Sequence, residues 1–484
     1  MAGDTKRILL VSNDNLLASE IDRMLATGDG ILYELNTIYP IEKALKAIKY
    51  TEYSLVIMDI PSNEKCSEAI ESLCASAESL PTIVLTPSGF RNSAQAIKMG
   101  AQYVVSKSTM DGELFAQKIY SSIERKRIEN ELRQKDNILQ AVNYAAEVFL
   151  AQSNWESWIV EVLARLGQAS QSDRVYVFRN SANLEKEDSI NLHAEWASEG
   201  IRTIAEFNAS FDSKDKTSGF FRWAGLLSKG QIIHGNVEDM PQTEQMQLMK
   251  MNVKSLIAVP ILVDHTWWGF IGFDHCRHQK TWSADEIETL KTAARIFGAA
   301  ISRQEAEEKL THLATHDYLT GLPNRMLFTD RFNLALARSI RSSEKIAVIS
   351  VDLDKFKAVN DTFGHPVGDR VLIETANRFV SALRASDTCA RIGGDEFGVL
   401  TEGIHNKADV MRVMEKMTAA LKNPIIENDK EIWISASMGA ALYPDNGKVL
   451  EVLMNMADKA LYQVKEKRSS FKIYNDEQYS WLKD

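Results

Sequence analysis

Two short segments in the last third of the chain constrain its fold most. The apolar run 345–351 leads into two aspartates, Asp352 and Asp354, and a second apolar stretch surrounds the turn Gly393–Glu396. Side chains alternate along a strand, so Asp352 and Asp354 are expected on one face. A glycine pair permits the positive φ of a tight hairpin. We therefore predict an antiparallel sheet in which this hairpin brings its acidic residues toward the first pair.

Acidic residues in this arrangement are suited to a particular chemistry. Paired carboxylates at a strand end suit Mg²⁺ or Mn²⁺ that also contacts phosphates. Taken alone, Asp352 and Asp354 are equally compatible with a capped strand-to-helix turn, and a lone Gly-Gly-Asp is a weak hairpin signal. Several carboxylates that meet would repel one another unless a cation or a proton relieved them. The two segments together therefore favour a metal site.

The same segments resemble the GGDEF family of diguanylate cyclases. The resemblance covers residues 316–478 through five motifs: HDYLTGLPNR, VDLDKFKAVNDTFGHPVGD, RIGGDEF, ISASMGAALYP and ADKALYQVK. It implies an adenylyl-cyclase-like α+β palm. It also implies that two GTP are joined into cyclic di-GMP with release of pyrophosphate. Because each subunit presents one GTP, the resemblance implies a homodimer.

The resemblance also implies a set of site residues. The metal ligands are Asp352, the carbonyl of Leu353 and Asp395; the catalytic groups are Asp395, Glu396 and Lys357; the substrate contacts are Lys355, Phe356, Asn360, Asp369 and Lys465. The implied cofactor is Mg²⁺ or Mn²⁺. The base contacts are Asn360 and Asp369, and a carboxylate accepts from guanine N1–H and its 2-amino group, whereas adenine N1 is an acceptor. Asp369 therefore favours GTP.

Two further features concern the product and the end of the motif region. Arg384 and Asp387 match the family's product-inhibitory site, which binds cyclic di-GMP, although an Arg and Asp three apart on a helix also form plain salt bridges. The terminal motif departs from the family pattern: Lys465 is kept, but Arg468 and Ser469 occupy the usual glycine and arginine positions. GTP binding is weaker unless a basic neighbour replaces the missing arginine.

Residues 1–125 alternate short apolar runs with amphipathic stretches. The runs RILLV, SLVIMD, TIVLT and YVVSK predict buried parallel strands in a doubly wound α/β sheet. Ligand chemistry on such a sheet collects at the carboxyl ends of the strands.

This segment resembles a response-regulator receiver domain. The resemblance implies that Asp59 is the phosphoacceptor, that Thr86 and Lys107 respond to it, and that a histidine kinase is the partner. The acidic pair that holds Mg²⁺ in that family is replaced by Ser12 and Asn13, which weakens a hard cation site. A phospho-switch and a fold used only for docking or dimerisation therefore both stay open.

The middle of the chain is rich in tryptophan and carries the second sensory resemblance. Seven of the nine tryptophans of the chain lie in residues 141–302, where the pattern predicts an antiparallel α+β sheet. The segments VPI, WGFIGFD and TWSADEI resemble a GAF domain. No ligand determinant transfers, so a sensor of unknown input and a structural dimer module are both compatible with it. Aromatic enrichment of this kind usually reflects core packing.

Two helical stretches join these blocks. Residues 119–142 have a broken apolar stripe at Ile128, Leu132, Leu139 and Val142, compatible with weak pairing to a second copy or with a solvated helix. Residues 284–315 have a coiled-coil-like seam at Leu290, Ala294, Phe297 and Ile301. The predicted organisation is a receiver-like domain at 1–125, a linker at 126–140, a GAF domain at 141–302, a signalling helix at 303–315 and the GGDEF domain at 316–478.

Bulk properties exclude several other classes of protein. The net charge of −10 argues against broad binding to nucleic acid or anionic lipid. The amino terminus lacks the apolar core of a signal peptide, and no apolar run reaches the roughly 18 residues of a membrane span. The four cysteines match no zinc or disulfide spacing. We expect a cytoplasmic enzyme; the rival functions are a silent receptor for GTP or cyclic di-GMP and a scaffold.

Overall fold

The chain divides into two compact units, Met1–Ser302 and Arg303–Asp484. The computed structural model describes residues 5–26, 32–60, 67–77, 79–87, 93–152, 154–180, 189–207, 211–212, 220–427, 430–465 and 470–475.

The first unit begins with a five-stranded parallel sheet. Its strands are β1 (Lys6–Val11), β2 (Tyr33–Ile38), β3 (Leu55–Asp59), β4 (Thr82–Thr86) and β5 (Tyr103–Ser106), in the order β2-β1-β3-β4-β5. The helices between them are α1 (Asn15–Ala26), α2 (Ile41–Tyr50), α3 (Ser67–Ser76) and α4 (Ser93–Lys98). Apolar clusters lie on both faces of the sheet. This is the doubly wound α/β fold that the apolar runs predict.

The predicted linker is the middle of one long helix, α5 (Gly112–Ala151). Asp111 caps its first turn by accepting from the backbone N–H of Leu114 at 3.1 Å. Phe115 packs on the first sheet, whereas Val142 belongs to the core of the next domain. The prediction that Val142 belongs to an exposed pairing stripe is therefore wrong. The other three residues of the stripe, Ile128, Leu132 and Leu139, are exposed.

The second sheet of this unit is antiparallel and has six strands. They are β6 (Arg174–Asn180), β7 (Ser189–Ala197), β8 (Phe211–Asp212), β9 (Ile233–Asn236), β10 (Ser255–Val263) and β11 (Thr266–His275), in the order β8-β7-β6-β11-β10-β9. Its helices are α6 (Ile159–Ser170), α7 (Phe221–Leu227), α8 (Gln242–Lys250) and α9 (Ala284–Thr315). Trp155, Trp223 and Trp282 are buried, as expected if the tryptophans serve packing.

The residues of the predicted coiled-coil seam on α9 pack within their own domain. Its four residues are almost completely buried and pack with α5, α6 and the sheet in one apolar cluster. A side chain committed to its own core is not available to a second helix. The seam prediction is therefore wrong for this part of α9. Leu310 and Leu313, further along, are exposed.

The second unit is an α+β domain built on a five-stranded sheet. Its strands are β12 (Lys345–Asp354), β13 (Thr388–Gly393), β14 (Glu396–Ile404), β17 (Ser435–Tyr443) and β18 (Phe471–Ile473), and a small hairpin is formed by β15 (Ile425–Glu427) and β16 (Lys430–Ile432). The main order is β13-β14-β12-β17-β18, antiparallel except for β17 and β18. The helices are α10 (Arg325–Ser342), α11 (Phe356–Phe363), α12 (His365–Ala382), α13 (Lys407–Ala420) and α14 (Leu450–Lys465). Apolar clusters cover both faces, so β12 lies in the middle of the core.

Candidate functional site

The acidic pair lies at the buried end of the central strand β12. Asp352 and Asp354 are only 7% and 8% exposed. The carboxylate of Asp354 accepts from the hydroxyls of Ser435 at 2.5 Å and Ser437 at 2.7 Å, both on β17. Asp354 is therefore engaged within the sheet, and Asp352 is the member of the pair that faces the hairpin.

The hairpin brings the second pair of acids to this strand end. β13 ends at Gly393 and β14 begins at Glu396, which is the register partner of Asp352. Of the two glycines, Gly394 takes the positive φ, at +53°. The backbone N–H of Leu353 donates to the carbonyl of Asp395 at 3.2 Å. The tight turn thus places Asp395 and Glu396 beside the end of β12, as the sequence predicts.

A lysine from α14 completes the cluster. The Nζ atom of Lys465 donates to Oδ2 of Asp352 at 2.9 Å. This hydrogen bond, with the charges of Asp352, Asp395 and Glu396, raises the pKa of Lys465 above its ordinary value. Lys465 is therefore favoured in its charged form beside these carboxylates. Lys467, Arg468 and Ser469, on which the altered terminal motif depends, lie outside the described residues.

The donor set at this strand end is compatible with Mg²⁺ or Mn²⁺ bound together with a nucleotide. Asp352 and Asp395 supply carboxylates. The backbone carbonyl of Leu353, the residue directly after Asp352, is a third oxygen donor. Within the described ranges, no three acidic, histidine or cysteine side chains form a group that could hold a metal by themselves. Magnesium usually takes one or two protein carboxylates and completes its shell with phosphates and water. The residues therefore fit a cation that arrives with a triphosphate.

The predicted base and phosphate contacts lie on the two helices that follow β12. Lys355 adopts a left-handed conformation at the start of α11, with φ of +61°. Phe356 is buried, while Lys357 is exposed. Asn360 lies on α11 and Asp369 in the first turns of α12, and Oδ1 of Asn360 is buried with no hydrogen-bond partner among the described residues. The structure thus leaves an acceptor unsatisfied where a base contact is predicted.

The predicted product site lies away from this cluster, after the end of α12. Arg384 and Asp387 form a turn, not a helix, so the alternative of a helical salt bridge is wrong. The backbone N–H of Arg384 donates to the Asp387 carboxylate at 3.1 Å. Burial raises the pKa of Asp387. Both residues line a pocket of about 310 Å³, which His405, Arg412 and Lys416 also line.

Sequence reasoning missed one contact of the hairpin. The guanidinium of Arg391 donates to the carbonyl of Gly394 at 2.8 Å and to Asp317 at 3.0 Å. Asp317 also accepts from the backbone and hydroxyl of Thr320. Burial opposes its charge, but these hydrogen bonds outweigh burial and keep the pKa of Asp317 low. The HDYLTGLPNR segment is therefore bonded directly to the turn, and only a pattern of paired Asp and Arg could have indicated it.

The predicted phosphoacceptor Asp59 lies at the carboxyl end of β3 with both oxygens engaged. Lys107 forms an ion pair with one oxygen, and the hydroxyl of Ser12 donates to the other at 2.7 Å. Asp14 instead caps α1 by accepting from the backbone N–H of Leu16 and Leu17. The buried hydroxyl of Thr86 donates to the carbonyl of Val105 at 3.4 Å. The three predicted residues thus lie at one sheet edge, while the carboxylate of Asp14 is bonded to the start of α1.

The tryptophan-rich domain contains buried titratable groups. Burial lowers the pKa of His275 to about 4 and raises that of the Cys276 thiol to about 12. Cys74, Cys276 and Cys389 are unpaired thiols. No helix in the described part of the chain combines the length and the apolar character that a membrane span requires.

Comparison with known proteins identifies two segments of the chain. Residues 314–470 match the family model described as "Diguanylate cyclase, GGDEF domain", and residues 157–301 match the GAF domain model. The chain contains a GAF domain followed by a GGDEF domain. The two resemblances seen in the sequence are thereby confirmed, and the receiver-like resemblance stays a prediction.

Relatives of the GGDEF domain include two curated proteins of Pseudomonas aeruginosa. The bifunctional diguanylate cyclase/cyclic di-GMP phosphodiesterase MucR is 46% identical over 173 residues, which are 36% of this chain and 25% of MucR. The diguanylate cyclase TpbB is 39% identical over 163 residues, which are 34% of this chain and 38% of TpbB. The chain thus spans well under two thirds of these relatives. The crystal structure of the TpbB GGDEF domain is 37% identical, with a TM-score of 0.32, and the match covers 32% of this chain and 98% of that domain.

Proposed function

We propose that this chain is a diguanylate cyclase that condenses two GTP into cyclic di-GMP and two pyrophosphates. The observation that carries the proposal is the convergence of Asp352, Asp395 and Glu396 at one strand end, with Lys465 among them. An intact acidic signature at this position distinguishes an enzyme from a silent receptor. The relatives named as diguanylate cyclases support the same assignment.

The residues of the cluster divide the chemistry between binding and charge control. Asp352, Asp395 and the carbonyl of Leu353 would hold a divalent cation, which would supply Lewis-acid polarisation of the α-phosphate. The attacking group in the reaction is a ribose 3′-hydroxyl, in line with the departing pyrophosphate. Asp395 accepts the proton of that hydroxyl, and Lys357 and Lys465 neutralise the phosphates as charge develops. Positioning and electrostatics, without a covalent intermediate, account for the reaction.

Each GGDEF domain presents one GTP, so two chains must meet for the two 3′-hydroxyls to attack in turn. Activity per subunit should therefore rise with protein concentration below the dimerisation constant. A rate per subunit that stays constant on dilution far below that constant would contradict the homodimer.

Regulation is the finer part of the proposal. Arg384 and Asp387 bind cyclic di-GMP, and this bound product inhibits the enzyme. The GAF and receiver-like domains control the rate of the reaction. The pocket beside these two residues is lined by His405, Arg412 and Lys416. Basic side chains of this kind suit the phosphates of a cyclic dinucleotide. The input to the two sensory domains stays open.

The proposal is tested by incubating the purified chain with GTP and Mg²⁺ and resolving the products by HPLC. We expect cyclic di-GMP from the wild type and none from Asp395→Ala. Asp330→Ala is the matched control, because Asp330 is an exposed aspartate on α10 outside the site. No product from wild type, after bound cyclic di-GMP is removed and Mn²⁺ is tried, would favour the receptor function. A cellular phenotype that survives Asp395→Ala would favour the scaffold.

A further inference from the structure

We propose that His312 and His316 form a binding site for a transition-metal dication of the Cu²⁺, Ni²⁺ or Zn²⁺ type, at the end of α9. The site uses none of the acidic residues at the end of β12, so it does not depend on the proposed function. Of the nine histidines of the chain, these two alone are four residues apart.

The last turn of α9 brings the two imidazole rings together. The backbone N–H of His316 donates to the carbonyl of His312 at 2.8 Å, so the helical hydrogen bonding extends to residue 316. Side chains four apart on a helix are neighbours on one face. The ring centroids are 4.1 Å apart, and the ring planes differ by 16°. Two histidines at this spacing on one helix face are a known arrangement for binding a transition metal.

A threonine hydroxyl determines which nitrogen of His316 is available. The hydroxyl of Thr315 lies 2.6 Å from the carbonyl oxygen of Thr311 and must donate to it, because a carbonyl carries no proton. The same hydroxyl lies 2.9 Å from Nδ1 of His316. Its only proton is already donated, so it accepts there. The neutral ring therefore carries its hydrogen on Nδ1 and has a free lone pair on Nε2.

This hydrogen bond is of the kind that orients histidine ligands of metals. In metal sites the ring nitrogen opposite the metal usually donates to an oxygen, which fixes both the tautomer and the direction of the ring. His316 is half-buried and held in this way, whereas His312 is exposed. Rotation about the Cβ–Cγ bond of a histidine is little restricted. The ring of His312 can therefore tilt from the stack and direct a nitrogen toward the position that Nε2 of His316 sets.

The ligand atoms select the class of cation. Imidazole nitrogen suits Cu²⁺, Ni²⁺ and Zn²⁺, with Cu²⁺ bound most tightly, whereas Mg²⁺ prefers oxygen. Two protein nitrogens leave the other coordination positions to water, which makes the site exchangeable. The next residue, Asp317, accepts from Arg391 at 3.0 Å. A metal bound here therefore fastens the last turn of α9 directly before that ion pair.

Copper binding to the full chain tests the proposal. With excess Mg²⁺ to occupy oxygen sites and one equivalent of Cu²⁺, electron paramagnetic resonance should show two imidazole nitrogens on the metal. His312→Gln and His316→Gln should each remove this pattern. Calorimetry with Ni²⁺ should show affinity weakened about tenfold or more in each, and up to about tenfold in Thr315→Val, which loses the orienting hydrogen bond. The double histidine variant should bind no more weakly than either single variant, because the pair acts as a unit.

Two controls separate chelation from other effects. His312→Gln combined with Ala314→His keeps the number of histidines but places them two apart, where they do not face each other, so binding should not return. His278→Gln, which removes an exposed histidine elsewhere, should bind as the wild type does. Glutamine is a good helix former, so the exposed His312→Gln should keep the wild-type melting temperature without metal.

The other outcomes would overturn the proposal. An unchanged copper spectrum in either single variant would show that the pair is not the site. Losses of affinity that add fully in the double variant, or full binding by His312→Gln with Ala314→His, would show that the two rings do not bind one metal ion together.

Discussion

The ammonium group of Lys465 lies 2.9 Å from the carboxylate of Asp352, so a side-chain cation already contacts a proposed metal ligand. Lys465 is about half exposed, whereas Asp352 is nearly buried. A divalent cation must share or replace this contact, and a triphosphate offers the lysine a new anionic partner. Metal and nucleotide should therefore favour each other's binding.

Removing the charge of Lys465 should change the affinity for the metal ion and the affinity for the nucleotide in opposite directions. We expect Lys465→Met to bind Mn²⁺ more tightly without nucleotide, by up to about fivefold for a partly exposed pair. The same variant should bind GTP more weakly, because a phosphate contact is lost. Electron paramagnetic resonance measures free Mn²⁺, and Lys448→Met is an exposed lysine control. A weaker affinity of the variant for Mn²⁺ alone would contradict this exchange of partners.

The ion pair between Asp317 and Arg391 should make the free energy of unfolding depend on pH in the acid range. Because the pKa of Asp317 is lowered in the folded state, its contribution is present above the unfolded pKa of roughly 4 and is lost as pH falls below it. Asp317→Asn should cost about 1–3 kcal/mol near neutral pH and should flatten this acid dependence. Urea unfolding at several pH values measures both effects. The exposed Asp330→Asn should alter neither, and a loss equal in size at all pH values for Asp317→Asn would contradict the charge argument.

Protonation of His275 should destabilise the GAF domain in mild acid. Burial, with the nearby positive charges of Lys280 and His278, lowers its pKa from 6.5 to about 4. The unfolded chain therefore binds the extra proton first, and stability falls as pH drops from 6.5 toward 4. The loss should reach about 2–3 kcal/mol, and His275→Gln should remove it. The ring of Trp282 lies 5.3 Å from that of His275, so tryptophan fluorescence follows the transition. The exposed His278→Gln should keep most of the acid dependence, because burial is the larger cause of the lowered pKa of His275.

Ser12 should decide whether the first domain responds to Mg²⁺. Ser12→Ala removes the hydrogen bond to Asp59 and should lower stability by about 1–3 kcal/mol, independently of Mg²⁺. Ser12→Asp places a second carboxylate beside Asp59, so its melting temperature should fall without Mg²⁺ and recover with it. Comparing the Mg²⁺-dependent shifts of wild type and both variants cancels the contribution of the GGDEF site. Equal shifts in all three would mean that residue 12 is not the barrier to a cation.

Arg384 should control the affinity for product. Arg384→Ala removes the guanidinium from the pocket beside Asp387, and calorimetry should show cyclic di-GMP binding weakened by about tenfold or more. Lys422→Ala, an exposed basic residue outside that pocket, should bind product as the wild type does. Unchanged binding in Arg384→Ala would place the inhibitory site elsewhere.

The sequence was informative where a local pattern determines the structure. The alternation at the end of β12 and the glycines of the hairpin predicted that Asp352 and Glu396 would meet, and the apolar runs predicted the first sheet. These features depend on strand period and turn geometry, which neighbouring residues set. The seam on α9 failed because helical periodicity marks a buried face without telling which partner covers it.

Long-range partners were beyond such patterns. Ser435 and Ser437 engage Asp354 from a strand far along the chain, and Arg391 joins Asp317 across 74 residues. Nothing in the local sequence of either partner specifies such a contact.

The bonds around Arg391 extend beyond its side chain. Its backbone N–H donates to the carbonyl of Pro323 at 2.9 Å, and the N–H of Asp317 donates to Leu322 at 2.7 Å. The loop before α10 and the signature turn are thus joined through main chain and side chain together. Amide protons in both segments should exchange with deuterium as one cooperative unit, opening with a single free energy. Loosening the segment between α9 and α10 should therefore also loosen the turn that carries Asp395 and Glu396.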